Sequence, residues 1–379
     1  MSSEKASALL LLAAAQASAM SPPADDSLAY QISQYQEQEM PANRVASGSN
    51  QRYQILTHQL AWEKNLTSRW RLSSSASYES MSGASPLQTF TNSNGQGEVL
   101  MSGASIDEQR VDASATLTRY FASTSVSGGG YVSSENDYTS TAWNLAVSQE
   151  LFSAMTTVSA GYSQAHDTLS PTDPELSLNR QAADGETKDR REAYLGVSQI
   201  LNKYEVLQIT AGAAQTQGYL SDPYRNIDRR PDERNSLTLS LLYRFFMKPW
   251  GGSAHWNARL YDDDWGVSSQ TLELKWLQSL GRSWRIDSSL RLYRQSAADF
   301  YSLAATDSGQ LQSNDSRLSS FGALTLGLGL YWQMTPATRL SANWSQYVSH
   351  EDWGPDASAP EAPAMVQYSL AQFGVFYRY

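Results

Sequence analysis

Period-two alternation of apolar residues with polar or small ones runs along most of the chain and constrains the fold more than any other feature. Leu324-Thr325-Leu326-Gly327-Leu328-Gly329-Leu330 is the most regular case, and Ser236-Leu237-Thr238-Leu239-Ser240-Leu241, Arg69-Trp70-Arg71-Leu72 and Glu273-Leu274-Lys275-Trp276 repeat it. Successive side chains of a strand point to opposite faces, so each such segment has one apolar and one wet face. A sandwich or a solenoid shares that pattern; segment length and connections separate them. The alternation predicts sixteen strands of roughly 10–15 residues, near the length at which a tilted strand crosses a bilayer core. They are expected at 27–38, 51–63, 68–80, 107–119, 123–134, 139–150, 154–166, 188–200, 204–218, 234–247, 253–262, 267–279, 283–297, 317–333, 337–350 and 365–379. Short connections near Lys64-Asn65, Phe121-Ala122, Phe152-Ser153, Asn202-Lys203, Pro249-Trp250, Gly281-Arg282 and Pro336-Ala337 alternate with longer ones. The longer ones occupy 39–50, 81–106, 167–187, 219–233, 298–316 and 351–364, with two brief exceptions at 135–138 and 263–266. Short turns on one side and long polar loops on the other mark an all-β, antiparallel transmembrane barrel of a Gram-negative outer membrane. Both termini are expected in the periplasm, beside the short turns, which requires an even strand number.

The strand ends carry a second signal. Trp62 and Trp70 flank the first short turn, and Tyr120, Phe152, Tyr204, Trp250, Trp284 and Trp332 sit beside others. Tyr and Trp favour a membrane–water boundary because each joins an apolar body to a polar tip, so this row is expected to form the periplasmic girdle. At the C-terminus Ala371, Phe373, Val375, Tyr377 and Tyr379 share one face, and the chain stops on an aromatic. Such a strand resembles the recognition signal of the barrel-assembly machinery, with Phe373, Val375, Tyr377 and Tyr379 as its carriers.

Residues 1–19 read as a signal peptide. Lys5 supplies a positive charge, Ala8 to Ala15 form an apolar core too short to span a bilayer, and Ala17-Ser18-Ala19 is an A-x-A cleavage site. A short periplasmic N-terminus over 20–26 and a barrel over 27–379 follow.

Charge and residue types exclude several functions. The net charge of −10 speaks against nucleic acid as a partner. With no cysteine there is no disulfide framework, thiolate metal site or cysteine nucleophile. His58, His166, His255 and His350 lie far apart with no metal-ligand spacing. Asp262-Asp263-Asp264 stands in a tight hairpin, where Asp262 and Asp264 share a face; the turn is either a solvated polar turn or a weak Ca²⁺ site. The loop Asp222 to Glu233 interleaves Arg225, Arg229 and Arg230 with acids and reads equally as an inward constriction, a docking loop or a charge-paired surface loop. Gly128-Gly129-Gly130 suggests a bend or bulge within a strand. No catalytic triad, paired-carboxylate or phosphate-loop pattern is present, so no enzymatic activity and no cofactor are expected.

Charge on the lipid side of a barrel costs several kcal/mol near the midplane, which assigns strand charges to the lumen. Arg69, Arg71, Arg244, Arg259, Lys275, Arg285, Arg291 and Arg339 are expected there, with Asp112, Glu150, Glu273 and Asp287. A lining that leans positive suits anions. It equally suits cross-strand ion pairs that close the lumen, since Glu273 and Lys275, and Arg285 and Asp287, lie two apart.

Several segments resemble an uncharacterised outer-membrane barrel family, a domain of unknown function. They are GYLSDPYR (218–225), RRPDERNS (229–236), YDDDWG (261–266), SQTLELKW (269–276) and LRLYRQSAADFY (290–301), continued by RLSSFGAL (317–324) and ATRLSANW (337–344). YQISQYQEQE (30–39) and SGASP (82–86) fit its opening hairpins. The loop after Tyr301 departs from the family by being shorter than in some relatives. Genes of that family lie beside those for a thioredoxin-like protein, a small lipoprotein and an FMN transferase. The resemblance therefore implies a pore or conduit that houses or docks a small lipoprotein or periplasmic redox partner in envelope electron transfer. The alternative is an outer-membrane enzyme or adhesin that uses the outward loops.

Overall fold

A computed structural model of the protein describes residues 22–379, except 95, 104–105, 226, 304–305, 307–308 and 357–361. The expected signal peptide, 1–19, lies outside the described residues. Sixteen antiparallel strands close into one barrel, each paired with its neighbours in sequence and the last with the first. They are β1 (Ser27–Glu37), β2 (Gln54–Thr67), β3 (Trp70–Gly83), β4 (Ile106–Tyr120), β5 (Thr124–Glu135), β6 (Tyr138–Leu151), β7 (Thr156–Leu169) and β8 (Thr187–Asn202). The second half comprises β9 (Glu205–Gly218), β10 (Glu233–Met247), β11 (Gly252–Asp263), β12 (Ser268–Leu280), β13 (Trp284–Gln295), β14 (Phe321–Gln333), β15 (Thr338–His350) and β16 (Gln367–Arg378). The seam is a full ladder from Ser27↔Arg378 to Glu37↔Tyr368. No helix among the described residues is long and apolar enough to cross a membrane.

The alternation becomes two surfaces. Leu237, Leu239, Leu241, Leu326, Leu328 and Leu330 point outward and are exposed, as are Phe373, Val375 and Tyr377. A belt this apolar is costly against water and suits lipid. The short-turn rim carries the aromatics: Trp284 and Trp332 stack at 5.4 Å, and Trp250 meets Trp276 edge-on at 5.7 Å. Phe152, Ser153 and Ala154 all have positive φ, so this turn is tight and strained, whereas Gly251 and Gly281 supply that conformation freely elsewhere.

Four local expectations need correction. The first short turn is at 68–69, not Lys64-Asn65, because β2 runs on to Thr67 with a register shift between Asn65 and Thr67. Arg69 therefore sits exposed in that turn and does not line the lumen. Tyr120 alternates with outward Val111 and Leu117 and so faces inward; exposed Phe121 takes its place at the rim. Gly128–Gly130 form no bulge, since the register stays unbroken on both sides. Gly129 instead leaves room for neighbours: a Cβ there would come within 2.5 Å of the Thr116 hydroxyl.

At the other end the long loops fold. Val45–Ser47, Pro86–Thr91 and Gly97–Met101 make a three-stranded sheet, and Asp228–Arg229 pairs with Gln312–Ser313. Among the described residues, the buried apolar clusters lie here too. Met40, Ala84, Val99, Met101 and Ala364 form one, and Trp265, Val267, Ala298 and Leu318 the other.

Candidate functional site: a charged lumen under a loop cap

The pleat sets the inner wall. On β10, outward Leu239 and Leu241 leave Ser240, Leu242 and Arg244 inside; on β11, outward Trp256 and Leu260 leave His255, Asn257 and Arg259 inside. By the same parity Glu273 and Lys275 of β12, Arg285, Asp287 and Arg291 of β13, and Arg339 of β15 face the lumen. So do Arg71, Asp112 and Glu150 on β3, β4 and β6.

Pairing within this wall is uneven. Arg291 reaches Glu273 at 2.6 Å across the β12–β13 ladder, Lys275 stands 3.9 Å from Glu273, and Arg285 meets Asp287 at 2.8 Å. On the other side Arg71 pairs with Glu63, and Arg110 pairs with Glu79 at 2.6 Å and lies 3.5 Å from Asp112. Arg244, Arg259 and Arg339 have no ion pair among the described residues, although Arg339 lies 4.9 Å over the ring of Phe376. The Arg291 side chain points inward yet is 54% exposed, and Lys275 43%. Inward charges that exposed mean a wide, watery lumen, as expected for sixteen strands.

Above the lumen, loops from distant parts of the wall meet at one carboxylate. Asp315, in the β13–β14 loop, is fully buried. Arg317 approaches it at 2.6 Å, Arg230 at 2.9 Å and Arg225 at 3.3 Å, the last two from the β9–β10 loop. The adjacent Asn314 exchanges hydrogen bonds with Thr89 of the β3–β4 loop: its amide donates to the Thr89 carbonyl at 3.2 Å and its carbonyl accepts from the Thr89 hydroxyl at 3.0 Å. Ser316 donates to the Ala364 carbonyl in the β15–β16 loop. The first three loops are anchored four, six and six strands apart around the ring. Loops rooted so evenly around a circle meet over or just within its mouth, so residues 313–320 form the centre of a cap at that end. Burial pushes the Asp315 carboxyl upward, but Arg317, Arg225 and Arg230 outweigh it and hold it well below the usual carboxylate range. Burial pushes the nearby Tyr301 hydroxyl up to about 12.

The acidic hairpin serves the cap. Asp263, not Asp262 or Asp264, turns inward, where it accepts from the backbone N–H of Trp265 at 3.0 Å and of Val267 at 2.9 Å. Arg234 and the Tyr261 hydroxyl also donate to it. Asp264 accepts from Asn235, and Asp262 borders an outward groove with Tyr162 and Arg191. No group of three or more His, Cys, Asp or Glu able to hold a metal ion occurs among the described residues.

Sequence reasoning placed the arginine loop but not its partner. Asn314 and Asp315 look like ordinary polar loop residues; the available signal was the surplus of arginines in 225–230, which demands a carboxylate once the loop is buried.

The fold is similar to solved barrels. A structure titled "Bacterial polysaccharide outer membrane secretin" matches at a TM-score of 0.50 and 12% identity, covering 93% of this chain and 98% of that one. CdiB from Acinetobacter baumannii matches at 0.51 and 10% identity over 93% of this chain, which spans 60% of CdiB. At such identities the likeness concerns the fold alone: a closed β-barrel resembling Gram-negative outer-membrane proteins. No curated protein sequence matches the chain. The family model described as "Protein of unknown function (DUF3570)" matches residues 2–359, and the chain belongs to that family.

Proposed function

We propose that this protein is a gated outer-membrane conduit, with its short turns in the periplasm and its long loops outside. The supporting observation is the convergence of separate loops on Asn314 and Asp315 above a lumen in which Arg291 is 54% exposed. A wall that wet provides a path, and the cap governs it. Long loops outward and short turns inward are the usual arrangement of such barrels, and the apolar belt between them supports contact with membrane lipid. The proposed role is non-enzymatic; His58, beside the Tyr30 hydroxyl, and His166, paired with Asp189, face outward, while His255 faces the lumen. Docking of a lipoprotein or redox partner would use the same lumen as a seat and needs no cofactor of its own.

Planar-bilayer recording tests the proposal. The wild type is expected to show low conductance with rare openings, and Asp315→Asn, which removes the charge shared by three arginines, more frequent ones. If neither passes current, the conduit fails and the docking role replaces it.

A further inference from the structure

The inner wall is charged oppositely on its two sides. Glu79 on β3, Glu108 and Asp112 on β4, and Glu135 on β5 face inward around Arg110, which lies 2.6 Å from Glu79, 3.5 Å from Asp112 and 3.8 Å from Glu135. Arg259 on β11, Lys275 on β12 and Arg291 on β13 face inward around Glu273. In a ring of sixteen, β3, β4 and β5 stand directly across from β11, β12 and β13, eight strands away in each case.

Glu79, Arg110, Arg259 and Arg291 also lie at similar depth. Glu79 is four residues before the end of its strand at Gly83, and Arg110 four after the start of its strand at Ile106. Arg259 and Arg291 are likewise four residues before Asp263 and Gln295. All four strand ends are at the long-loop side, so the two walls face each other just beneath the cap. Setting aside the closed pairs Arg71–Glu63, Arg285–Asp287 and Arg234–Asp263, the described residues of the first wall leave an acidic surplus that faces a basic surplus on the second. Opposed surpluses in a water-filled passage with low-dielectric walls produce a field across it, not along it.

We propose that this field selects small zwitterionic solutes, turning their cationic group towards Glu79, Asp112 and Glu135 and their anionic group towards Arg259, Lys275 and Arg291. The inference rests on the conduit proposed above. A simple anion or cation is attracted by one wall and repelled by the other, whereas a dipole gains from both. The solute is oriented in transit and need not touch both walls.

Liposome swelling at low ionic strength tests it with full-length mature protein, both wild type and Asp315→Asn. The probes are size-matched: a dipeptide as zwitterion, a neutral sugar, and a monovalent organic anion and cation. The zwitterion is expected to enter roughly threefold faster than the neutral solute, a shift of about kT in a potential of a few kT. That advantage should shrink as salt shortens the screening length. It should also fall towards one in Asp112→Asn with Glu135→Gln, and separately in Arg259→Gln with Lys275→Gln, while the sugar rate stays constant. If one variant fails to fold, the other and the salt series on the wild type still decide. Size-ordered entry with no zwitterion advantage overturns the inference and leaves the conduit standing. No entry of any probe, even with Asp315→Asn, overturns both.

Discussion

The indole nitrogen of Trp62 donates to the hydroxyl of Tyr379 at 2.8 Å, so the last residue of the chain is fastened across the seam to the second strand. Its backbone pairs with Asp26 in both directions, at 3.2 and 3.1 Å, and the Lys64 ammonium lies 5.4 Å over its ring. Phe373, Val375 and Tyr377 continue the same outward face, with Tyr377 stacked on Tyr379. Barrel closure and the rim aromatics therefore meet at one residue. Tyr377→Ala with Tyr379→Ala should lower the folded yield in membranes, while Trp62→Phe, which loses one hydrogen bond worth about 1 kcal/mol, should fold nearly as well. Heat-modifiable migration on gels reports the folded fraction. An unchanged folded band for the double variant would remove the C-terminal face from any part in assembly.

The Asp315 latch has a defined dependence on pH. Its carboxyl is held well below 3.8 in the folded protein, so its contribution is fully present above the unfolded value and is lost only as pH falls through the lower, folded one. The cap should thus survive from pH 7 to pH 4. Hydrogen exchange over residues 313–320, corrected for intrinsic rates, is expected to show equal protection at both. Asp315→Asn should lose protection at both. Loss of wild-type protection between pH 6 and 5 would sink this account.

Alternation, strand number and the sidedness of the connections were all legible in the sequence because each depends on a local, period-two pattern. All sixteen expected strands correspond to barrel strands. Misses arose where a longer-range contact overrides that period. The irregular end of β2 moved the first turn and carried Arg69 out of the lumen. Gly129 is small because Thr116 and Asn144 crowd it from neighbouring strands, which no local pattern reveals. The cap was least legible. Asp315 meets Arg225 across ninety positions of chain, and Thr89 meets Asn314 across 225. Only the closed ring brings those loops together.

Trp265 shows how the cap is supported. It is 4% exposed, packs edge-on against Phe300 at 5.1 Å and donates to the Glu233 carbonyl at 2.8 Å. Arg234 lies 4.6 Å over its ring. Removing a buried Trp side chain typically costs about 3–5 kcal/mol. Here the loss should fall on the hairpin after β11 and the loop after β13, since the ladder hydrogen bonds of the barrel do not involve that side chain. Trp265→Ala is expected to speed tryptic cleavage after Arg317 while the circular-dichroism melt of the barrel barely moves. A large drop in the melting temperature would show that cap and barrel unfold as one.

Unpaired arginines should control ion preference, and paired ones should not. Arg244 and Arg259 have no ion pair among the described residues, so each adds an uncompensated positive charge to the lumen. Arg291 and Glu273, 2.6 Å apart, add none together. Arg244→Ala with Arg259→Ala removes two net charges, whereas Arg291→Ala with Glu273→Ala removes a neutral pair. In the Asp315→Asn background, with a salt gradient across a planar bilayer, the first double variant should shift the reversal potential towards cation preference. The second should leave it near its starting value, because distant ions respond to net charge once a close pair is screened. The opposite ranking would mean that local contacts with the Arg291–Glu273 pair, and not the summed field of the wall, set the preference.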